Sequence, residues 1–491
     1  MIRAGYSMSF VNDNIVRAVD NAQATNAGLS STATASGIDG LFGNSLIPVP
    51  VPTFKVPRTF ADNYAIAPSS NAEAMPDPHL VTPYVQQWNL GVQHTIWDTL
   101  IDVRYVGNHS TKSIRGFDYN QIVISQLLPD FLTAANNGWL ALTATGSFNP
   151  AYNANIAGSK TTPFISSLPN GGYLSNSTVR SYLQTGQVGE LANWYMTNRV
   201  NGTVSFYTNP SILGGNVLTN YSNSSYHGLQ IDAMHRFKNG VQFQLNYSFS
   251  KVLSDAAGNG QTDFEPFLDI HNAKLERKRV VFDLTHVIKG NFYYELPFGK
   301  GKRFNFQNRI LSKVIDGWNV AGIYTSQSGP PISVVSGRGT LNRSGRSGNN
   351  MANTTATLGQ LRNLFQLYKD GNGVWFYPQA NKNPVDGRAV APDGSAAFSG
   401  QMFSQPAAGT LGGLQGNLLS GPWVWTMDAK ISKVARITET KTVELRMDAI
   451  NVFNHDTFYI GDQTVTSTNF GRISSYFYNP RVLQFALYLH F

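Results

Sequence analysis

Few residues in this chain are spaced to do chemistry. The nine histidines are scattered and no His-Glu-x-x-His run occurs, so no zinc-hydrolase helix is encoded. Gly345-Arg346-Ser347-Gly348 sets a serine among glycines, but its spacing is not that of a nucleophile elbow and no strand–helix pair surrounds it. Asp255, Asn259, Asp263 and Glu265 fall in a glycine-containing stretch whose oxygens could hold calcium. They miss the EF-hand spacing, and a solvated loop accounts for them better. Asp370-Gly371-Asn372-Gly373 has the same character and fits a turn. Asp428 and Lys430, like Glu444, Arg446 and Asp448, are charges of mixed sign two residues apart. In a strand that spacing puts them on one face. There they make a salt-bridge ladder or line a path for a solute, and the interleaved signs favour the ladder. Trp139, Trp194, Tyr195, Trp375 and Tyr377 lie in long polar stretches. Such rings either grip sugars or peptides or pack the stretches together, and the sequence does not choose. No catalytic constellation or resident cofactor is expected.

The elements that would carry these residues are strands. Val241, Phe243, Leu245, Tyr247 and Phe249 alternate with Gln242, Gln244, Asn246, Ser248 and Ser250. The same period of two recurs from Ile2 to Phe10, from Trp88 to Ile96, over Ile101–Tyr105, Leu229–Phe237 and Leu284–Leu296. It returns, more weakly, over Trp318–Tyr324, then over Trp423–Ser432 and Val443–Ala449, with a slip near Ile450 that reads as a bulge. It closes the chain, with Leu483, Phe485, Leu487, Leu489 and Phe491 on one face and Gln484, Tyr488 and His490 on the other. Chain ends usually fray. This one stops on an aromatic of an apolar face.

The connections discriminate between architectures. Trp97-Asp98-Thr99, Lys238-Asn239-Gly240 and Arg436–Thr440 are tight, and Asn-Gly is a strong hairpin signal. Between them stand long links at 11–83, 107–225, 252–281, 329–422 and 454–480, with an intermediate one at 297–315 on the short-link side. Loops of this length are foreign to a compact soluble domain. Short and long links in strict alternation put all tight turns at one end of an up-and-down sheet, as in outer-membrane barrels. Charged residues are only 13%, about half the usual soluble share. Tryptophans near strand ends (Trp88, Trp318, Trp423, Trp425) suit membrane girdles. No apolar run approaches the ~18 residues of a spanning helix. The fold expected is all-β, a transmembrane antiparallel up-and-down barrel with long extracellular loops, in the bacterial outer membrane, forming one domain over 1–491.

The net charge of +8 and pI near 9.4 call for no nucleic-acid partner. Basic residues are dispersed, and the one dense cluster, Arg277-Lys278-Arg279, fits a solvated loop. Outer-membrane lipid and lipopolysaccharide head groups are the expected anionic neighbours. Asp428, Lys430, Glu444, Arg446 and Asp448 should face the lumen. Leu483, Phe485, Leu487, Leu489 and Phe491 should face lipid and serve as the signal read by the barrel-assembly machinery. Met1-Ile2-Arg3-Ala4-Gly5 enters a strand pattern at once, without a secretory leader's charged start and apolar stretch.

Several segments together resemble a known family. They are Pro83-Tyr84-Val85-Gln86-Gln87-Trp88-Asn89-Leu90, then Phe282-Asp283-Leu284-Thr285-His286 before Tyr293-Tyr294-Glu295-Leu296-Pro297-Phe298-Gly299-Lys300-Gly301, and Gln327-Ser328-Gly329-Pro330-Pro331. Glu444-Leu445-Arg446-Met447-Asp448-Ala449-Ile450-Asn451-Val452-Phe453-Asn454-His455, Phe470-Gly471-Arg472-Ile473 and Asn479-Pro480-Arg481 follow in order. The series resembles the C-terminal barrel of Oar-like TonB-dependent receptors. The resemblance implies a barrel of 22 strands with an N-terminal regulatory-like domain, a plug and a TonB-contacting segment, importing a bulky nutrient such as an oligosaccharide, peptide or metal chelate. This chain offers about ten strands and no plug, and Met1 reads as an internal or truncated start, so TonB would be met only through a missing N-terminal part. The competing expectation is an adhesin or surface interaction barrel whose loops bind without transport.

Overall fold

The computed structural model describes residues 1–10, 59, 62, 72–256, 267–299, 301–304, 308–343, 350–371, 373–438, 440–476 and 478–491. Asn259, Asp263, Glu265, residues 345–348, Asn372 and most of the 11–83 link lie outside the described residues.

Ten strands form one antiparallel meander in which each pairs with its neighbour in sequence. They are β1 Ile2–Phe10, β2 Tyr84–Ile96, β3 Thr99–Asp118, β4 Gly214–Lys238 and β5 Val241–Ser254. Then come β6 His286–Glu295, β7 Trp318–Gln327, β8 Val424–Arg436, β9 Thr442–Ile450 and β10 Val482–His490. Ala72–Pro76 adds a short parallel pairing to the start of β4. Among the described residues β1 and β10 pair on one side only, so the sheet is an open arc of a barrel.

The tight turns match the strand twist. Trp97 and Asp98 both have positive φ (46° and 65°), as do Asn239 and Gly240 (54° and 81°), the geometry of two-residue primed hairpins. The Lys238 ammonium reaches across to Asp98 at 2.5 Å, tying the two turns together. The long links emerge at the opposite end. Two strands run well beyond their alternating cores: β3 and β4 stay paired to Asp118 and Asn216, where the sequence pattern suggested loop. There the strands leave the zone of alternation because both faces are covered by loop, as buried Ile114, Phe117 and Leu218 show. The expected bulge at Ile450 is absent. The β9–β10 register is regular to Ile450↔Val482, and the slip marks the strand's end, where Asn451 turns at φ 50°. Register shifts occur instead in β3–β4 after Ser110 and in β4–β5 after His235.

The hydrophobic core lies in the loops. One cluster sits in the β3–β4 link around Leu127, Phe131, Val179, Leu191 and Tyr195. Its helices are α1 Leu128–Thr145, α2 Pro163–Ser167, α3 Ser177–Gln184 and α4 Val188–Thr197. Faint local signals of two of them are present in the sequence. Phe131, Ala134, Gly138 and Ala141 repeat at three- and four-residue spacing on the buried face of α1, with Pro129 in its first turn. Asn176 caps α3 through Thr178 N and Val179 N. A second cluster joins the β7–β8 link to the β9–β10 link through Phe365, Phe376, Tyr377, Phe403, Phe458 and Phe470. It contains α6 Leu358–Leu364, with a Thr357/Gln360 capping box; α5 Arg309–Ile315 lies on the short-turn side. Among the described residues no helix is long and apolar enough to cross a membrane.

Candidate functional site

The registers extend one polar face across all ten strands. Ser7 stands opposite Gln87, Gln87 opposite Asn108, and Asn108 opposite Tyr226. Lower on the same face Asp102 faces Asp232, Asp232 faces Asn246 and Asn246 faces Lys289. Lys289 pairs with Thr325 and Thr325 with Thr426. Two residues along β8, Asp428 and Lys430 follow; Lys430 meets Asp448, which meets Gln484. The other face is apolar: Phe243, Phe292, Gly322 and Ala429 lie in one row, and Ala449 with Leu483 continues it.

Asp428, Lys430, Glu444, Arg446 and Asp448 are thus brought onto the polar face together. Lys430 reaches Glu444 at 3.3 Å, Arg446 reaches Asp448 at 2.7 Å, and His490 stands 4.0 Å from Glu444. Asp428 accepts from the Asn451 amide at 2.8 Å and so holds the turn after β9. A depression of about 440 Å³ opens here, lined in part by Asn291, Asp428, Lys430, Arg446, Asp448 and Gln484. A surface with both signs of charge and exposed amides offers hydrogen bonds to a polar solute without trapping an ion of either sign. Leu483, Phe485, Leu487 and Leu489 all project from the apolar side of β10, and Phe485 is 69% exposed. Phe491 follows, with Lys441 Nζ 5.8 Å from its ring centroid.

The loop aromatics are mostly occupied in packing. Tyr195 is fully buried, its hydroxyl donating to Gly172 O at 2.7 Å and its ring on Phe206. Tyr377 is fully buried against Phe470. Burial lifts the pKa of both phenols. Neither ring can reach a ligand in this structure; the physical reason is that each is the centre of a loop core. Trp375 lies over the Lys382 ammonium at 3.9 Å and donates to Asp370. Trp194 packs on Tyr173. Trp139 crosses between loops: Gly394, at φ +75°, leaves the space its ring fills, and a Cβ there would lie 2.2 Å from it.

Ion pairs fasten the loops to the strand ends. Arg115 pairs with Glu276 at 3.1 Å, both buried, and lies over the Phe267 ring. Arg343 pairs with Asp118 and lies over Tyr207. The basic cluster is no solvated loop: Arg277 donates to Asn223 and Ser225, and Arg279 pairs with fully buried Asp283. Asp255, expected in a solvated or calcium-holding loop, accepts from Asn223 N and Nδ2. Asp370 and Gly373 pair across a small hairpin, as a turn requires. Lys382 is buried, its Nζ has no hydrogen-bond partner among the described residues, and burial pushes its pKa down to about 8. Burial also lowers that of His455, which stacks on Trp425. Among the described residues no three His, Asp or Glu side chains gather as a metal site. Sequence reading missed separate hydroxyl–imidazole pairs on the apolar face, among them Tyr105–His227 at 2.7 Å and Tyr247–His286 at 2.9 Å. Their spacing along each strand gave no sign, because only the register joins them.

Residues 1–484 match the model of the outer membrane beta barrel domain family. No curated protein matches the chain. Among solved structures, the outer membrane transporter YddB from Escherichia coli is similar at 10% identity and TM-score 0.34, over 87% of this chain and 35% of that one. The ferric-catecholate import receptor Fiu from E. coli K12 gives 9% and 0.32, over 100% and 33%. The siderophore receptor PirA from Acinetobacter baumannii gives 9% and 0.31, over 85% and 33%. The chain spans about a third of the length of these structures.

Proposed function

We propose, from the premise that the chain belongs to the outer membrane beta barrel domain family, that it supplies wall and outer loops to a transporter importing a bulky nutrient across the outer membrane. The observation that carries this is the single polar face running over all ten strands, backed by an apolar face and crowned by loops with their own cores. In an outer-membrane barrel the apolar side meets lipid and the polar side lines the lumen. Asp428, Lys430, Glu444, Arg446 and Asp448 are then lumen residues. The motif order favours the Oar-like group of TonB-dependent receptors, with TonB engaged through a plug-bearing segment and not through these strands. The solute is of the size of an oligosaccharide, a peptide or a metal chelate, because folded loops of this extent suit more than a porin solute. The residues give no support to enzyme activity.

The second reading is a surface adhesin, favoured by the way Tyr195 and Tyr377 are spent on making the loops rigid. Disruption of the gene separates the two. Loss of energised, TonB-dependent accumulation of such a solute supports import. Unchanged accumulation with lost surface attachment supports adhesion and ends the import reading.

A further inference from the structure

The strongest unassigned feature is a cleft of about 760 Å³ on the apolar side of the sheet, at its loop end. Its floor is Phe249, His286 and Trp423. Phe249 shares its strand face with Leu245 and Phe243 and stands opposite His286. The His286 ring lies 5.1 Å from Phe249 and 5.9 Å from Trp423, and its Nδ1 is tied to the Tyr247 hydroxyl. The roof is loop: Leu358 and Arg362 of α6, and the 415–420 segment, overhang the wall. So the cleft continues the apolar face upward and closes it with a polar lid.

Its charge is one-sided. Lys251, Arg279 and Arg362 line it, and no carboxylate among the described residues does. Arg279 is neutralised by Asp283 and positioned by Ser420 and Thr285. Lys251 and Arg362 are exposed and have no ion pair among the described residues. Two exposed cations above an aromatic floor half open to the apolar face (Phe249 46%, Trp423 50% exposed) are complementary to one kind of molecule. It bears an anionic head at the membrane surface and hydrocarbon below. A soluble anion has no use for the floor, and an uncharged lipid has none for the cations.

We propose that this cleft binds a phosphate-bearing acylated glycolipid of the outer leaflet. Lys251 and Arg362 hold its phosphate, Arg279 frames the site, and one acyl chain lies along Phe249, His286 and Trp423. The proposal rests on the outer-membrane reading above, which makes the apolar face the lipid side and the loop end the cell exterior. Cations near a membrane surface attract anionic heads, and guanidinium groups suit phosphate geometry.

The test uses the full chain in a neutral detergent, with lipid A dispersed in the same detergent and binding read by native mass spectrometry. Lys251→Gln with Arg362→Gln should weaken binding roughly tenfold to thirtyfold. Both side chains are exposed, so the fold is retained. Lys160→Gln with Lys274→Gln removes the same charge from exposed loop positions outside the cleft and should leave binding unchanged. Trp423→Ala should weaken lipid A and not inorganic phosphate. Equal binding by the Lys251/Arg362 variant, equal loss in the Lys160/Lys274 variant, equal binding of dephosphorylated lipid A, or full competition by inorganic phosphate would each overturn the proposal. Membrane fractionation of the same wild-type chain separates its failure from that of the underlying reading. A chain that inserts but ignores the cleft substitutions defeats only the lipid site. A chain absent from the outer membrane defeats both.

Discussion

At the residue scale, the informative side chains are those whose burial is expensive. Lys382 lies under Trp375 with no partner for its Nζ, and burial depresses its pKa to about 8 from 10.5. Between those values the unfolded chain binds more protons than the folded one, so stability rises with pH across the window. We expect the β7–β8 loop cluster to gain roughly 1–3 kcal/mol from pH 8 to pH 10.5, read by protease resistance of that loop. Lys382→Met should flatten the slope; an unchanged slope in that variant would exclude Lys382 as its source. Arg115 and Glu276 are the opposite case, buried but mutually satisfied at 3.1 Å. Removing one charge strands the other. Arg115→Met should therefore cost roughly 3–5 kcal/mol, and the double change with Glu276→Met much less. Additive losses in a denaturant series would show that the two do not act as a pair.

At the element scale, β10 tests which side is which. Leu487 and Gln484 lie on opposite faces of one strand, opposite Leu445 and Asp448 of β9. A charge at Leu487, near the bilayer midplane, should cost roughly 2–4 kcal/mol, and the same charge at Gln484 far less. Equal sensitivity of the two in refolding titrations would remove the inside–outside assignment. The face was readable in the sequence because period two is a property of the extended backbone. Strand length was not readable. β3 and β4 run on past their alternating stretches because loop cores cover both of their faces, and a strand covered on both faces loses its alternation. The same cores hide α1 to α4: the buried face of α1 is built largely from Ala134, Gly138 and Ala141, and α2 to α4 are only 5 to 10 residues long, so their helical spacing stands out poorly among polar loops. Deleting Phe491 should lower the yield of folded, outer-membrane protein without altering synthesis. Equal yields from deletion and parent would leave Phe491 without an assembly role.

At the scale of the whole molecule, stability should be uneven. Central strands β4 to β6 are paired on both sides, while β1 and β10 each have one strand neighbour among the described residues. Amide exchange in detergent should be fastest along β1 and β10 and slowest in β4 to β6 and in the loop cores. Uniform protection across the sheet would mean that the edges are paired in solution. The membrane architecture was legible from the sequence alone, because alternation within strands and the alternation of tight and long links are both local. So was the sharing of one face by Asp428, Lys430, Glu444, Arg446 and Asp448, since each spacing is even and a short hairpin fixes the register between the two strands. What only the tertiary structure decided is what non-local contacts make: the loop cores that bury Tyr195 and Tyr377, and the ion pairs that anchor the loops across some 160 residues from Arg115 to Glu276. The rim cleft is of the same kind. It joins Lys251 to Arg362 through the packing of a loop on a wall, and no spacing along the chain encodes that meeting.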